Sequence, residues 1–156
     1  CSFNGIYRVN SSGGYNVPYG KRKNVDIVCE DNLRKVSHLL QNVTIKAVDF
    51  KETLKEVKKG DLVFLDPPYT VAHENNGFIE YNQKLFSWND QEKLKEFTQA
   101  IDDKGAYFIL TNASHKSILE LYKNTGKIFK KSRYSKVGGR NKTRGMYNEL
   151  IICNTL

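Results

Sequence analysis

The sequence has few cysteines and prolines, and it lacks a long apolar run. Its three cysteines, Cys1, Cys29 and Cys153, form no CxxC pair and no cluster with the three histidines. An odd number of scattered cysteines argues against a disulfide-stapled fold and indicates a reducing compartment. No apolar stretch approaches the roughly 20 residues of a membrane span. We therefore expect a cytoplasmic protein with no membrane partner and no metal site.

Acidic residues are missing from two segments of a chain whose net charge is +8. Residues 1–24 hold four basic residues and no acid, and residues 121–148 hold nine basic residues and no acid. A charge run is often only a solvated face. Here aromatic residues lie among the charges in both segments, which is typical of a protein that binds a polyanion. The pattern favours nucleic acid as the partner.

Strand-like and helix-like segments alternate after residue 24, which predicts an α/β sheet that ends in an antiparallel C-terminal hairpin. The apolar run Leu62–Leu65 is typical of a buried parallel strand. The first helix should begin at Asp31 or Asn32, and Asn89 with Glu92 resembles the capping box of the third. The predicted strands cover 25–29, 44–48, 62–65, 106–110, 127–132 and 147–153, and the predicted helices contain Leu33–Val43, Leu54–Val57, Leu94–Ile101 and 114–124.

Two segments lack such periodicity. Residues 1–24, rich in Asn, Gly, Ser and aromatics, predict a loop or short hairpin that turns at Ser11–Gly14. Residues 67–88 form a connection long enough to cover a substrate. Both segments are therefore expected to be functional.

The tetrapeptide Asp66-Pro67-Pro68-Tyr69 directly follows the apolar run 62–65. The carboxyl ends of parallel strands form the ligand crevice of an open α/β sheet. The Asp66 carboxylate and the Pro67 carbonyl supply two acceptors for the N–H bonds of an aromatic amine, and consecutive prolines hold them stiffly. Tyr69 offers a flat face on which an extruded base can stack. The constellation predicts methyl transfer to an exocyclic amine, against the alternative of a strand-terminating turn.

These residues carry a family resemblance. Together with the segments Phe3–Asn10 and Tyr15–Gly20, Asp66–Tyr69 closely resembles the Dam family of DNA adenine N6-methyltransferases, including its DpnII-type members that act on GATC. The resemblance extends over almost the whole chain. It implies a Rossmann-like, S-adenosylmethionine-dependent catalytic domain at 25–156, preceded by part of a target-recognition region at 1–24, and double-stranded DNA as substrate. It also implies a cognate restriction enzyme as a partner.

The resemblance assigns roles by position. Asp66, Pro67, Pro68 and Tyr69 would be catalytic and hold a flipped adenine, and Asp49, Phe50 and Asp66 would contact S-adenosylmethionine. For Arg8 an ordinary surface arginine stays open as an alternative, as does a core anchor for Phe3. The residues implied in DNA binding are Phe3, Asn4, Arg8, Asn10, Asn16, Pro18, Arg22, Lys136, Arg140, Lys142 and Arg144.

The chain departs from the family pattern at one point. It lacks the FxGxG-type turn that holds the methionine end of the cofactor, and its single methionine is Met146. We expect a C-terminal portion of a methyltransferase that binds S-adenosylmethionine weakly by itself. A non-catalytic DNA-binding fragment, and methylation of RNA adenine or of cytosine N4 through the same tetrapeptide, stay open as alternatives.

Overall fold

The computed structural model describes residues 2–5, 7–10, 12–21, 23–24, 28–71, 86–135 and 145–155. The chain forms two compact units, Cys1–Ala47 and Val48–Leu156. The predicted functional boundary at residue 24 lies inside the first unit and stays a prediction. None of the helices in the described ranges is long and apolar enough to cross a membrane.

The start of the first unit reverses direction as a short hairpin. Antiparallel bridges join Val9 to Tyr15 and Ser2 to Tyr19. The turn is held by Asn10, whose Oδ1 accepts hydrogen bonds from the backbone N–H groups of Ser12 at 3.0 Å and Gly14 at 2.8 Å. An Asn side chain that bonds to the backbone just ahead of it stabilises a turn in this way. The predicted hairpin is confirmed for the described residues.

Helix α1, Glu30–Leu39, begins earlier than predicted. Cys29 precedes it in the left-handed conformation, with φ of 47°, and the Cys29 carbonyl accepts from the N–H groups of Asn32 and Leu33. Asp31 and Asn32 are therefore inside the first turn, and the expectation that one of them is the N-cap is wrong. A 3₁₀ turn at Leu40–Asn42 follows.

The strand predicted for 44–48 is wrong, and the one predicted for 25–29 is not present at residues 28 and 29. Residues 25–27 lie outside the described part of the chain. Val43 and Ile45 are exposed and have no ladder partner among the described residues. Alternating apolar residues indicate a strand only where a neighbouring strand supplies the hydrogen bonds and a packed face.

The second unit combines a mixed β-sheet with α-helices. Its sheet has the strands β1, Leu62–Leu65, β2, Tyr107–Ala113, β3, Lys127–Ser135, and β4, Gly145–Cys153, in the order β1-β2-β4-β3. β1 is parallel to β2, and β4 is antiparallel to both of its neighbours. The predicted α/β class is confirmed by this mixed four-stranded sheet.

One face of this sheet forms the core. Phe108, Leu110, Leu150 and Ile152 are buried on it. They belong to one cluster with buried residues of helices α2, Trp88–Asp103, and α3, Lys116–Tyr122.

The expectation that β1 is buried throughout is wrong. Leu62 and Phe64 are 61% and 64% exposed, while Val63 and Leu65 pack against the core. β1 lies at an edge of the described sheet, and only one of its faces has packing partners there. The continuous apolar sequence of β1 is therefore no sign of packing on both faces, since only one face is packed among the described residues.

Helix α2 has a capping box two residues before the predicted one. The Ser87 side chain accepts from the Asp90 N–H, and the Asp90 carboxylate accepts from the Ser87 N–H at 2.9 Å. The Ser87 hydroxyl also donates to Asp90 Oδ2 at 2.7 Å, and this hydrogen bond, followed by the one from the Ser87 N–H, holds the pKa of the Asp90 carboxyl below its usual range. The predicted pair Asn89 and Glu92 is wrong because both residues lie within the helix. The helix ends before Gly105, as predicted.

Candidate active site

Asp66–Tyr69 leaves the carboxyl end of β1 beside the parallel strand β2. Leu65 pairs with Leu110, so the next residues along the two strands, Asp66 and Thr111, are neighbours. The Thr111 hydroxyl donates to Asp66 Oδ1 at 2.5 Å. Asp66 is exposed and forms no ion pair in the described part of the chain. Its carboxylate is therefore oriented by the sheet and open to a ligand.

A cavity of about 240 Å³ adjoins this carboxylate. Its wall is mostly apolar, and Asp66 is its one charged group among the described residues. The Phe50 ring lies 6.3 Å from that of Phe86 and packs edge-on to Phe97 at 5.3 Å between centroids. The lining residues are Phe50, Phe64, Leu65, Asp66, Pro67, Pro68, Phe86 and Leu94. The fold thus brings Phe50 and Asp66 together, two residues assigned to the cofactor by resemblance.

Asp49 is adjacent in sequence but has a different local role. It is the N-cap of the 3₁₀ helix Phe50–Lys55, where its Oδ1 accepts from the Lys51 N–H at 3.0 Å. A short helix was predicted here, but it is a 3₁₀ helix that ends at Lys55, so Val57 lies outside it. Its cap sets the position of Phe50 on the cavity wall. The Asp49 side chain is exposed and does not line the cavity. Its contact with a cofactor stays a prediction.

Tyr69 is half-buried on the same side of the sheet as Thr111 and Glu149. Burial, followed by the nearby negative charges of Glu149 and Asp66, raises the pKa of Tyr69 above its ordinary value. Glu149 is ion-paired with Arg133, with 2.5 Å between Oε1 and Nε. The phenol is therefore kept protonated beside a fixed charge pair.

A buried polar network lies behind the tetrapeptide. Gln91 on α2 donates from Nε2 to Thr70 Oγ1 at 3.1 Å and accepts at Oε1 from Asn112 Nδ2 at 3.1 Å. All three side chains are fully buried. Thr70 directly follows Tyr69, so the network ties the end of the tetrapeptide to α2 and β2. The sequence pattern did not single out these residues, although Asn112 within an apolar strand is a usable signal.

Several candidate DNA-binding residues lie together in the first unit. Arg8 donates from Nε to Asn16 Oδ1 at 2.8 Å and from Nη2 to the Asn16 carbonyl at 3.1 Å. The Phe3 N–H donates to the Pro18 carbonyl at 2.8 Å, and the Phe3 side chain is 42% exposed, which does not fit a core anchor. The hairpin thus brings together Phe3, Arg8, Asn10, Asn16 and Pro18.

The structure does not place the side chains of the other candidate DNA-binding residues. Asn4 belongs to a 3₁₀ turn, Phe3–Gly5, and only its backbone is described. The other candidates in the basic segments lie outside the described residues: Arg22, Lys136, Arg140, Lys142 and Arg144. The loop predicted to cover a substrate lies largely outside them as well, at 72–85.

His115 has a structural role. It is the N-cap of α3, and its Nδ1 accepts from the Ser117 N–H at 3.2 Å. Within the described ranges, no three His, Cys, Asp or Glu residues are grouped as metal ligands.

The site combines an Asp-Pro-Pro-Tyr segment at the end of a strand with a mostly apolar cavity that has one charged group, a carboxylate, among the described residues. The sequence model of D12 class N6 adenine-specific DNA methyltransferases matches residues 1–137. The chain belongs to this family. The family is one of adenine-specific DNA-methylating enzymes, so the resemblance predicted from the sequence is confirmed.

Individual relatives agree with this placement. The chain is 38% identical over 154 residues to the Type II methyltransferase M1.LlaDCHI of Lactococcus lactis subsp. cremoris, covering 97% of this chain and 54% of the relative. It is 37% identical over 155 residues to the Type II methyltransferase M.MjaIII of Methanocaldococcus jannaschii, covering 97% and 53%. It is 29% identical over 151 residues to the DNA adenine methylase of Haemophilus influenzae, covering 96% and 52%. The chain therefore spans about half the length of these relatives.

Proposed function

We propose that the protein transfers a methyl group from S-adenosylmethionine to N6 of an adenine in double-stranded DNA. The observation that carries this proposal is the Asp66 carboxylate, which is held by Thr111 at the rim of an apolar cavity. The proposal concerns the whole protein, since the chain spans about half the length of its relatives.

The adenine amine is a poor nucleophile because its lone pair is delocalised into the ring. Asp66 and the Pro67 carbonyl would accept its two N–H bonds and so favour a tetrahedral nitrogen with an available lone pair. Tyr69 would stack on the base after the base has left the duplex, which partly offsets the stacking that it loses there. Asp66, Pro67, Pro68 and Tyr69 thus act as one catalytic unit.

The cavity fits a flat, apolar heterocycle such as the adenine ring of S-adenosylmethionine. The Phe50 and Phe86 rings supply aromatic surface on its wall, and Asp66 supplies an acceptor. The bound cofactor would provide an activated methyl group. Phe50 would bind its adenosine end and Asp49 would contribute from the adjacent cap, whereas Asp66 would lie between the cofactor and the amine.

The proposal also covers the type of sheet and the segments that would bind DNA. We infer that the mixed sheet is part of a Rossmann-like methyltransferase sheet whose antiparallel end, β3 and β4, is a hairpin. The hairpin at the start of the chain belongs to a target-recognition region for GATC. The basic segment 136–144 would contact phosphates through Lys136, Arg140, Lys142 and Arg144, and Arg22 would add a contact in the first segment. A cognate restriction enzyme would recognise the same site, which agrees with the Type II names of two relatives.

The test is a methyl-transfer assay on the purified protein. It is incubated with tritiated S-adenosylmethionine and a duplex that contains GATC, and label in the DNA is counted. We expect label in GATC and none when GTTC replaces it. Equal label in both duplexes would contradict GATC recognition, and transfer to RNA or to cytosine alone would change the substrate class. DNA binding without any label would favour the non-catalytic fragment.

Arg8 should read sequence rather than merely add charge. Its two bonds to Asn16 leave other guanidinium N–H groups for a guanine edge and fix their direction. We expect Arg8→Ala to reduce the preference for GATC over a scrambled duplex by about 10-fold or more. Asn16→Ala should reproduce part of that loss. Binding titrations on both duplexes at several salt concentrations measure the effect.

Two further variants separate base reading from charge. Arg34→Ala is the matched control, since this exposed arginine on α1 is ion-paired with Glu30, and it should keep the preference. Lys142→Ala should weaken binding to every duplex and reduce the salt slope by about one unit. If Arg8→Ala behaved like Lys142→Ala, Arg8 would be a phosphate contact.

A further inference from the structure

We propose that Thr70 is a positioning residue that holds Phe86, on the wall of the cavity, at a fixed place relative to the tetrapeptide Asp66–Tyr69. The inference rests on the proposed function of that cavity and of the tetrapeptide. Thr70 directly follows Tyr69 in the chain. Its hydroxyl donates to the Phe86 carbonyl at 3.2 Å, across 16 positions of the sequence. One hydrogen bond therefore joins the end of the catalytic unit to the wall against which the cofactor would bind.

The direction of every hydrogen bond behind Thr70 is set by one backbone group. The Ala113 N–H can only donate, and it bonds to Asn112 Oδ1 at 2.9 Å, so the Asn112 amide nitrogen is the donor to Gln91 Oε1 at 3.1 Å. Gln91 Nε2 is then the donor to Thr70 Oγ1 at 3.1 Å. The Thr70 proton is left for the Phe86 carbonyl, which can only accept. The bonds form one directed chain with no amide orientation left open.

This chain begins on two regular elements. Asn112 is within β2 and pairs with Leu150 of β4. Gln91 is within α2, close to the capping box that closes the start of this helix. The side chains of Thr70, Gln91 and Asn112 are all fully buried, where the low dielectric strengthens a hydrogen bond. Thr70 is therefore held rigidly and can serve as a fixed point for Phe86.

Phe86 needs such a point because its ring is otherwise held by apolar contacts. The ring packs against the core and lies 6.3 Å from the Phe50 ring, at a tilt of 49°. Apolar contacts are non-directional, whereas a hydrogen bond has a preferred distance and angle. The bond from Thr70 acts on the Phe86 backbone, from which the ring projects onto the cavity wall. It therefore fixes where the ring begins.

The arrangement has a consequence for the reaction. The tetrapeptide would hold the amine that receives the methyl group, and the cavity would hold the cofactor that supplies it. Thr70 joins the two sides, so it would set how closely the methyl donor and the amine approach. Misplacement of reacting groups by about 1 Å can cost about 100-fold in rate. We therefore expect loss of the Thr70 hydroxyl to affect both cofactor binding and methyl transfer.

The first test compares substitutions at position 70. Thr70→Val keeps the shape and removes the hydroxyl, whereas Thr70→Ser keeps the hydroxyl. We expect Thr70→Val to lower kcat about 10-fold or more and to raise the KM for S-adenosylmethionine about 3- to 10-fold. The Kd for DNA should stay within about 3-fold, because the hydroxyl is buried and contacts no DNA. Thr70→Ser should restore most of kcat and KM.

A matched control separates positioning from loss of stability. Thr98→Val also removes a fully buried threonine hydroxyl, which donates to the Lys95 carbonyl at 2.7 Å within α2. It should leave kcat and both binding constants near their original values. Urea denaturation of each variant establishes that it is folded, and Thr70→Ala removes the same hydroxyl if valine does not fit. Unchanged kcat and KM in a folded variant without the hydroxyl would overturn the inference, as would equal losses in Thr70→Ser.

An NMR measurement reads the hydrogen bond without any activity. Phe86 is the one phenylalanine followed by serine in the sequence. Labelling phenylalanine with ¹³C at the carbonyl and serine with ¹⁵N therefore gives a single correlated signal, from the Phe86 carbonyl and the Ser87 N–H. Hydrogen bonding deshields a carbonyl carbon, so we expect Thr70→Val to move the ¹³C resonance upfield. Thr70→Ser and Thr98→Val should leave it near its original position.

The two measurements distinguish this inference from the proposed function. A moved resonance in Thr70→Val, together with no methyl transfer by the unmodified protein, would uphold the link between Thr70 and Phe86 and refute the proposed function. An unmoved resonance in an active enzyme would refute the link alone.

Discussion

Replacing Asp66 by alanine is expected to abolish methyl transfer while DNA binding persists. Its carboxylate is the one charged group among the described residues that line the cavity, and it is already oriented by Thr111. Removal of a pre-oriented group that stabilises developing charge costs about 10²- to 10³-fold in kcat. Here the same group also holds the amine in place, so we expect a loss at or above the upper end of this range.

Single-turnover methylation and DNA titration measure the two halves of this prediction. Asp66→Ala should show no detectable label over the time in which the unmodified protein completes a turnover, with a Kd for DNA within about 3-fold of the original, since an exposed carboxylate is no DNA anchor. Asp103→Ala is the matched control, because this exposed carboxylate at the end of α2 bonds only to Gln99 in the described chain. Retention of kcat within 10-fold in Asp66→Ala would show that the amine is bound elsewhere.

Replacing Gln91 by leucine is expected to destabilise the second unit by about 2–5 kcal/mol. The Gln91 side chain is fully buried and satisfies Thr70 on one side and Asn112 on the other. Leucine fits an α-helix well, so the cost would not arise from helix propensity. It would arise because a hydroxyl and an amide lose a partner in a place without water, and each such loss costs about 1–3 kcal/mol.

Urea denaturation of Gln91→Leu and of a control variant, Gln99→Leu, measures this cost. Gln99→Leu is the control on the same helix, since Gln99 is exposed and bonds to Asp103 at 3.0 Å. Its free energy of unfolding should change by less than about 0.5 kcal/mol. Similar stabilities for the two variants would mean that Thr70 and Asn112 find other partners when Gln91 is removed.

The parts of the fold that could be predicted are those with strong local patterns. The hairpin turn depends on Asn10 and its neighbouring glycines, and β2 and α2 carry apolar residues at the correct spacing over many positions. A short helix near Leu54 could also be recognised, although it begins at Phe50 and ends at Lys55. The site tetrapeptide could be located because its position after an apolar strand follows from the sequence alone.

Two errors in the predicted elements have one physical origin. The apolar residues near 44–48 were interpreted as a strand, and β1 was expected to be buried on both faces. Pairing and burial both require a partner from a distant part of the chain, and a local pattern does not show whether that partner is present. The capping error at α2 is smaller. Ser87 and Asp90 have the same spacing as Asn89 and Glu92, and the helix begins at the first pair.

The amino-acid order by itself determined the family, the α/β class and the tetrapeptide that would bind the amine, because these depend on residues adjacent in the chain. Tertiary structure decided how that tetrapeptide is held. Thr111, Gln91 and Asn112 are 21 to 45 positions away from the residues they bond. Only strand register and helix packing bring such groups within hydrogen-bonding distance, since hydrogen bonds require ångström-scale geometry that sequence spacing does not contain.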